Sequence, residues 1–331
     1  MRRISRERSR VLCIAALLGA LLLAQPSIAL AHGSGPVLPD TWWRIWSWDP
    51  LTLLLLVMAW LMYDLGVRTL WERAGRGHGI QSWRSLAFKG GLAVIAIALI
   101  SPLDALSSVL FSAHMVQHLL LLFVAAPLFA LSTAPLAFLW ALPATWRRGF
   151  GHQWHRHAWL HRCWTVLAHP LTVWTLYALS LWLWHWPVLY QAALKNDLIH
   201  ALEHFSFLTT SALFWWQLLK PSRHQGRDYG LGLVFIVTTA LHSSILGALL
   251  VFSGQPWYPA YASGVMLWGF TPLGDQQVAG LIMWLPIGIV YLGATATLLA
   301  LWLSAVERDM QRRERNIPQL RIENTVIKTK V

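Results

Sequence analysis

The chain has 331 residues, of which 56% are hydrophobic and only 12% are Asp, Glu, Lys or Arg. So few charged residues would leave a water-soluble globule of this size with extensive apolar surface, which excludes a soluble enzyme, and the high hydrophobic content excludes a disordered chain. The 22 Trp favour a membrane protein, and the net charge of +12 then becomes a question of how Lys and Arg divide between the two sides of a membrane.

The N-terminal segment has the pattern of a secretory signal peptide. Five arginines precede an apolar run over 11–24 that is too short to span a bilayer comfortably. Because Ala29-Leu30-Ala31 forms an A-x-A cleavage site, residues 1–31 are predicted to be removed, so that the mature chain begins at His32. A retained membrane anchor is the alternative.

Seven apolar segments follow, each close to the roughly 17–25 residues needed to cross the hydrocarbon core of a bilayer. Long apolar runs without alternation form helices, and lipid accommodates only helices or closed barrels. The predicted fold class is therefore all-α, a polytopic transmembrane helix bundle. The predicted spans are 50–67, 86–101, 109–131, 165–187, 198–219, 230–252 and 277–304.

The connecting segments divide Lys and Arg very unevenly. Nineteen lie in 68–89, 132–164, 220–229 and the tail from Arg308, whereas the alternate segments hold only Arg44 and Lys195. Because positive residues stay on the cytoplasmic side, the N-terminus is predicted outside and the C-terminus inside. The basic charge then predicts contact with the lipid bilayer and no nucleic-acid partner. The predicted organisation is a signal peptide (1–31), a periplasmic N-terminal segment (32–49), a seven-span helical membrane domain (50–304) and a basic cytoplasmic tail (305–331).

Six histidines are predicted to lie in the outer half of the bundle or near its middle. Two pairs have i,i+4 spacing, on the third and fifth spans, so each pair shares one helix face. Ionisable side chains inside lipid-spanning helices are costly and indicate functional sites. The six are His114, His118, His185, His200, His204 and His242.

These histidines are predicted to bind a metal ion, because imidazole clusters favour first-row transition metals. Cys13 lies in the predicted signal peptide, and Cys163 alone cannot form an internal disulfide or a thiolate site, so a soft metal would need imidazole and thioether ligands. A hydrogen-bonded structural role is the alternative, above all for His242. The neighbours predicted to orient the rings or add weak ligands are Asp104, Met115, Glu203, Met266, Asp275, Gln276 and Met283.

Three further readings concern polar residues. Asp104 is equally suited to cap the start of the third span through its carboxylate. His32, once exposed by cleavage, is a candidate for chelating Cu(II) through its amino and imidazole nitrogens. The second histidine group is interleaved with arginines that would repel a cation, so a solvated basic loop is predicted there; it comprises His152, His155, His157 and His161.

Several motifs, in order, resemble the CtaG family of cytochrome c oxidase assembly factors. They are Ser101-Pro-Leu-Asp104, Ser112-Ala-His-Met-Val-Gln-His118, Trp184-His-Trp-Pro187 followed by Tyr190, His200-Ala-Leu-Glu-His204, and Asp275-Gln-Gln-Val-Ala-Gly-Leu-Ile-Met-Trp284. The resemblance covers roughly 48–302, leaving 147–162 and the tail outside the pattern. It implies a multi-pass protein of the cell inner (plasma) membrane that helps build an active terminal oxidase at the step where copper reaches the oxidase. Oxidase subunits, and other assembly factors, are the implied partners.

The leading hypothesis is that the outer histidines hold copper transiently and pass it to an oxidase subunit, because exchangeable imidazole and thioether ligands release a metal more readily than a thiolate cage. No nucleophile or phosphate-binding loop indicates an enzyme. The alternatives are a haem-binding membrane redox protein and a metal-free assembly scaffold whose polar residues only join helices. A transporter is less favoured, because the polar groups cluster on one side.

Overall fold

The computed structural model describes residues 37–219 and 227–328, and every regular element within these ranges is a helix. The predicted signal peptide and the candidate ligand His32 lie outside the described residues. In addition to short 3-10 turns at Trp42–Arg44 and Pro259–Tyr261, the helices are α1 (Pro50–Ala74), α2 (Ser82–Leu99), α3 (Pro102–Ser107), α4 (Phe111–Leu131), α5 (Ala134–Ala141), α6 (Ala144–Arg156), α7 (Ala158–Leu167), α8 (Pro170–Trp184), α9 (Pro187–Lys195), α10 (Asp197–Leu219), α11 (Arg227–Phe252), α12 (Ala262–Met266) and α13 (Pro272–Lys328).

Capping residues followed by proline mark where helices begin. The Asp49 carboxylate accepts the backbone N–H of Thr52 at 2.7 Å, directly before Pro50. The hydroxyl of Ser101 likewise accepts a backbone N–H of the helix that starts at Pro102. Since proline has no N–H to leave unsatisfied in the first turn, these dipeptides place the starts of α1 and α3 locally.

Within the described ranges, five helices are long and apolar enough to cross a membrane: α1, α2, α4, Gly230–Phe252 of α11 and Pro272–Arg312 of α13. Helices α7 and α8 pass the same test only together, and they are bent by 60° at their junction. The predicted span 165–187 is therefore wrong as one continuous helix, because Pro170 disfavours a helical conformation at the residue before it.

Helix α10 occupies the place of the predicted fifth span. It has 23 residues, but His, Glu, Gln and Trp residues interrupt its apolar sequence, and it is not one of the five apolar helices. Five spans, or six with the bent pair, are thus supported by length and composition, and the count of seven stays a prediction. The all-helical, membrane-type architecture is confirmed.

Helix α4 occupies the centre of the bundle, where it packs against α2, α3, α10 and α13. Its middle widens into a π-helical turn over Leu120–Ala125. The Leu122 carbonyl accepts hydrogen bonds from the Ser211 hydroxyl at 2.7 Å and the Trp215 indole N–H at 2.9 Å, both on α10. Buried carbonyl groups need partners, so these bonds fix α4 against α10 one turn beyond His118.

The two ends of the bundle differ in chemistry. The segments 101–118, 185–204 and 253–276 form what we call the histidine end. At the opposite end, the guanidinium group of Arg84 donates to the Leu131 carbonyl at 3.2 Å, and that of Arg147 lies 4.1 Å from the centre of the Trp140 ring. Arg84 and Arg147 thus lie at the end of the bundle opposite the predicted histidine ligands of α4 and α10.

The predicted basic loop and the start of the predicted tail are both helical. Helices α6 and α7 cover 147–162 apart from His157, and His152 and His161 are solvent-exposed as expected. Helix α13 continues without a break across the predicted boundary between the seventh span and the tail. The sequence from 305 onward lacks proline before 318, so nothing local ends the helix at that point.

Candidate metal centre

The structure brings the two predicted histidine pairs together at the histidine end. His114 and His118 lie on α4 with their Nε2 atoms 2.8 Å apart. The His118 ring is 5.3 Å from the His204 ring of α10, and the His114 ring is 5.4 Å from the His200 ring, measured between ring centres. Four imidazoles from two neighbouring helices thus share one small volume.

Glu203 lies between these histidines and is fully buried. Its Oε1 atom is 3.7 Å from His118 Nε2 and 4.0 Å from His114 Nε2. Neither of its carboxyl oxygens has a hydrogen-bond partner within the described part of the chain. A buried carboxyl group without a hydrogen bond is costly, and the histidine nitrogens beside Glu203 are the polar groups nearest to offset that cost.

Two groups of three potential ligands have their ligand atoms within 4.8 Å of one another. The inner triad is His114, His118 and His204, and the outer triad is His114, His200 and Glu203. In known sites Zn²⁺ binds imidazole nitrogen and carboxylate oxygen at about 2.0–2.2 Å, so the ligand atoms of one ion lie within roughly 4.4 Å of one another. A donor set of imidazoles and one carboxylate suits copper or zinc.

His185 lies beside this cluster, at the end of α8. Its Nδ1 atom is 2.7 Å from the Leu181 carbonyl oxygen, and its ring is 6.4 Å from that of His118. Its Nε2 atom is buried and has no partner among the residues described. The two histidines line a common cavity with Met115 and Met283.

His242 lies apart from the other five predicted ligands. Its ring contacts Trp174 and Tyr177 of α8, at 5.7 and 6.4 Å between ring centres, and it belongs to neither triad. Neither ring nitrogen forms a hydrogen bond to a described residue, so the structural alternative is not seen either. The predicted set of six therefore divides into four adjacent histidines, His185 beside them, and His242 separate, because α11 directs His242 toward α8.

Asp275, at the start of α13, caps α4. Its carboxylate accepts the backbone N–H groups of Phe111 at 2.7 Å and Ser112 at 3.2 Å, and also the Ser112 hydroxyl. Asp104 instead accepts hydrogen bonds from the Gln117 amide at 3.0 Å and the Ser47 hydroxyl. The capping role considered for Asp104 thus belongs to Asp275, which acts on the histidines by fixing the helix that carries two of them.

Replacing Asp275 with alanine is expected to lower the free energy of unfolding by about 1–3 kcal/mol, because two backbone donors at a buried helix start lose their acceptor. We also expect weaker metal binding, since His114 lies within the first turn of α4. Thermal unfolding in detergent and metal titration measure the two effects. Asp49→Ala removes an exposed cap from α1 and should change stability alone; equal metal affinity in both variants would contradict this account.

Three tyrosines cover the cluster, and the sequence analysis missed Tyr258 and Tyr261. The Tyr261 hydroxyl lies 3.5 Å from His114 Nδ1 and 2.8 Å from the Tyr190 hydroxyl, and the Tyr258 hydroxyl donates to the His185 carbonyl at 2.8 Å. Burial raises the pKa of Tyr190 and Tyr261 well above its usual value, so both hydroxyls keep their protons. The signal available in the sequence was the aromatic loop 255–261 beside predicted outer histidines.

Gln276 and the methionines have separate roles. The Gln276 side chain accepts the Trp257 backbone N–H at 2.6 Å and donates to the Leu250 carbonyl at 3.3 Å, so it fixes the loop that carries the two missed tyrosines. Met115 and Met283 are buried beside the histidines, whereas Met266 is 66% exposed. Met266 is therefore not placed to act as a ligand.

Comparison with known proteins gives one family and several uncharacterised relatives. Residues 61–305 match the family described as cytochrome c oxidase caa3 assembly factor. The chain is 25% identical over 283 residues to uncharacterised proteins of Mycobacterium bovis and Mycobacterium tuberculosis, and 24% identical over 287 residues to one of Mycobacterium leprae. These alignments cover 82% of this chain and 41% of each relative, so the chain spans about two fifths of the length of the curated relatives it matches. No solved structure matches.

Proposed function

Since the chain belongs to the family of cytochrome c oxidase caa3 assembly factors, we propose that its buried histidine cluster binds copper transiently and passes it to an oxidase subunit during assembly. The predicted topology puts the histidine end on the outer side of the cell inner membrane. The cargo would then be received and released on that side, and the other assembly factors of the oxidase would be met there. The protein would deliver the metal and catalyse no reaction.

The observation that carries this proposal is that the buried Glu203 carboxyl group, among four histidines, forms no hydrogen bond to a described residue. In a metal-free scaffold, buried polar side chains would hydrogen-bond one another to join helices. Here both Glu203 oxygens and His204 Nε2 are buried and form no hydrogen bond within the described ranges. Several unsatisfied ligand atoms around one point are better explained by a cation that completes them.

The cluster also suits a transient site. His200 is only partly buried, whereas His114, His118 and His204 are buried, so the outer triad is the more accessible of the two. Imidazole and carboxylate ligands exchange more readily than a closed thiolate cage, and the one described cysteine, Cys163, is exposed and lies near the opposite end of the bundle. These features favour uptake at the histidine end followed by release to a partner.

The geometry supports a small ion better than a haem. Two axial histidines must approach a haem iron from opposite faces of a porphyrin. The histidines that face each other across α4 and α10 have ring centres only 5.3 Å (His118 and His204) and 5.4 Å (His114 and His200) apart, which leaves no room for a macrocycle between the rings. A haem protein would need an open slot between the helices.

The test combines composition and cellular function. Detergent-purified protein is loaded with copper, and its metal content and absorption spectrum are measured; a strain that lacks the gene is assayed for oxidase activity and for copper in the oxidase. We expect near-stoichiometric bound copper, no Soret band, and a copper-deficient oxidase in the mutant strain. A Soret band would favour the haem protein, and protein that binds no copper yet restores the oxidase would favour the scaffold.

A further inference from the structure

We infer that the chain has a second metal site, selective for Cu(I), in the cavity between α4, α8 and α13. Its ligands are the thioethers of Met115 and Met283 with the imidazoles of His118 and His185, all four of which line that cavity. The identity of the metal as copper rests on the proposed function. The presence of the site and its preference for a soft metal ion rest on the burial of these four residues and on the hydrogen bonding of the two histidines.

Met115 and Met283 lie beside histidines, whereas a methionine that only fills space in a core has apolar neighbours. Both are almost fully buried, and both line the cavity together with two histidines. Thioether sulfur is a soft ligand that selects Cu(I), whereas it contributes little to binding Zn²⁺ or another hard or borderline ion. Buried methionine next to buried imidazole is therefore the donor chemistry of a Cu(I) site.

The hydrogen bonding of His185 is that of a metal ligand. Its Nδ1–H donates to the Leu181 carbonyl at 2.7 Å, which leaves the lone pair on Nε2 for another partner. That Nε2 atom is buried and forms no hydrogen bond to any described residue. A histidine fixed through one nitrogen and unsatisfied at the other needs a ligand partner inside the protein.

His118 links the cavity to the histidine cluster. Its Nε2 atom faces His114 and Glu203, whereas its Nδ1 atom is buried and has no partner among the described residues. The Phe207 ring packs against the His118 and His185 rings, at 4.7 and 6.1 Å between ring centres. Apolar side chains form most of the remaining cavity wall, and Tyr177 and Ser243 are its other polar residues. A mostly apolar wall favours the few, soft ligands of Cu(I).

The arrangement gives two adjacent sites of different selectivity. The triads offer imidazole and carboxylate and accept Cu(I), Cu(II) or Zn(II), whereas the cavity adds two thioethers and retains only Cu(I). Because His118 borders both, an ion moves from the inner triad to the cavity without being released into solvent. The cavity thereby retains Cu(I) and rejects Zn(II) after either ion has entered the triads.

The test compares Met115→Leu/Met283→Leu with the matched exposed pair Met266→Leu/Met310→Leu. Leucine conserves volume, so the buried pair costs less than about 1.5 kcal/mol per substitution and folds. Cu(I) affinity is measured anaerobically against a colorimetric Cu(I) chelator, and Zn(II) affinity is measured in parallel. For the buried pair we expect Cu(I) binding weakened about tenfold or more, equivalent to ~1.4 kcal/mol, with Zn(II) binding unchanged. We expect neither affinity to change in the exposed pair.

Copper X-ray absorption gives a second readout that does not depend on affinity. The wild-type Cu(I) protein is expected to have sulfur scattering that disappears in Met115→Leu/Met283→Leu. Unchanged Cu(I) affinity in that variant, or a wild-type spectrum without sulfur, overturns the cavity site. If Cu(I) binding then still depends on Glu203, the proposed function stands; protein that binds neither metal overturns both.

Discussion

Replacing His114 and His118 together with alanine is expected to abolish stoichiometric copper binding by the purified protein and the assembly of active oxidase in cells. His114 belongs to both triads, and His118 belongs to the inner triad and borders the cavity. The double variant therefore leaves neither triad intact and also removes one of the four ligands proposed for the cavity. Removing ligands of one ion should lower its affinity by far more than the roughly 10–100-fold seen for supporting residues.

The matched control is His152→Ala/His161→Ala, which removes two exposed histidines from α6 and α7 at the other side of the predicted membrane domain. We expect wild-type copper content and full complementation from this control. Metal content by mass spectrometry and oxidase activity in the deletion strain are the two measurements. Copper retained in His114→Ala/His118→Ala, together with normal oxidase, would overturn the proposed site.

Replacing Glu203 with leucine is expected to stabilise the metal-free protein while weakening metal binding. The carboxyl group is fully buried and has no hydrogen-bond partner in the described ranges, so its removal recovers a desolvation cost of about 1–3 kcal/mol. The nearest ring nitrogens, His118 Nε2 at 3.7 Å and His114 Nε2 at 4.0 Å, lie beyond hydrogen-bond distance of Glu203 Oε1, so leucine breaks no hydrogen bond there.

Thermal unfolding in detergent, with and without added metal, separates the two effects. Wild-type protein should unfold at a higher temperature when metal is present, because a ligand that binds only the folded state stabilises it. Glu203→Leu should raise the midpoint without metal and reduce the increase that metal causes. Glu72→Leu, at an exposed position of α1, should change neither quantity by more than about 0.5 kcal/mol. A lower midpoint for the Glu203 variant would contradict this reading.

Much of the site could be predicted from the spacing of residues along single helices. The i,i+4 pairs on α4 and α10 share a face in the structure, as helix geometry requires, and their two faces meet. The family resemblance carried by the same motifs is confirmed over 61–305. These predictions succeeded because a helix fixes relative side-chain directions without help from the rest of the fold.

The sequence was a poorer guide to contacts that depend on how one helix is rotated about its axis relative to another. His242 lies at a suitable depth, but it contacts α8 and not the cluster. The cap of α4 comes from Asp275, which is 164 residues away from Phe111 in sequence, and not from nearby Asp104. The direction in which a helix face points, and the contacts it makes with residues distant in sequence, depend on packing over the whole helix surface. The residue pattern of one helix does not contain that information.

The span count was limited by composition. Helix α10 carries three of the five residues of the cluster, and those polar residues lower the hydropathy by which a span is recognised. The helices that house a buried polar site are thus the ones a hydropathy criterion identifies least well. The break between α7 and α8 follows from Pro170. This proline was visible in the sequence, but the predicted span 165–187 treated the segment as one helix.

The π-helical turn at 120–125 sets the angular phase between the two halves of α4. An α-helix rotates by about 100° per residue, so a turn that holds one additional residue rotates everything beyond it by that angle. In the half before the turn, the His114 and His118 rings meet the His200 and His204 rings of α10, while the helix itself packs on α3 and α13. The half after Ala125 packs on both α2 and α10. Deleting one residue from this segment would give a regular helix that is still apolar, yet it could not keep both faces in place. A single widened turn therefore holds the proposed metal ligands and the apolar core in a common register.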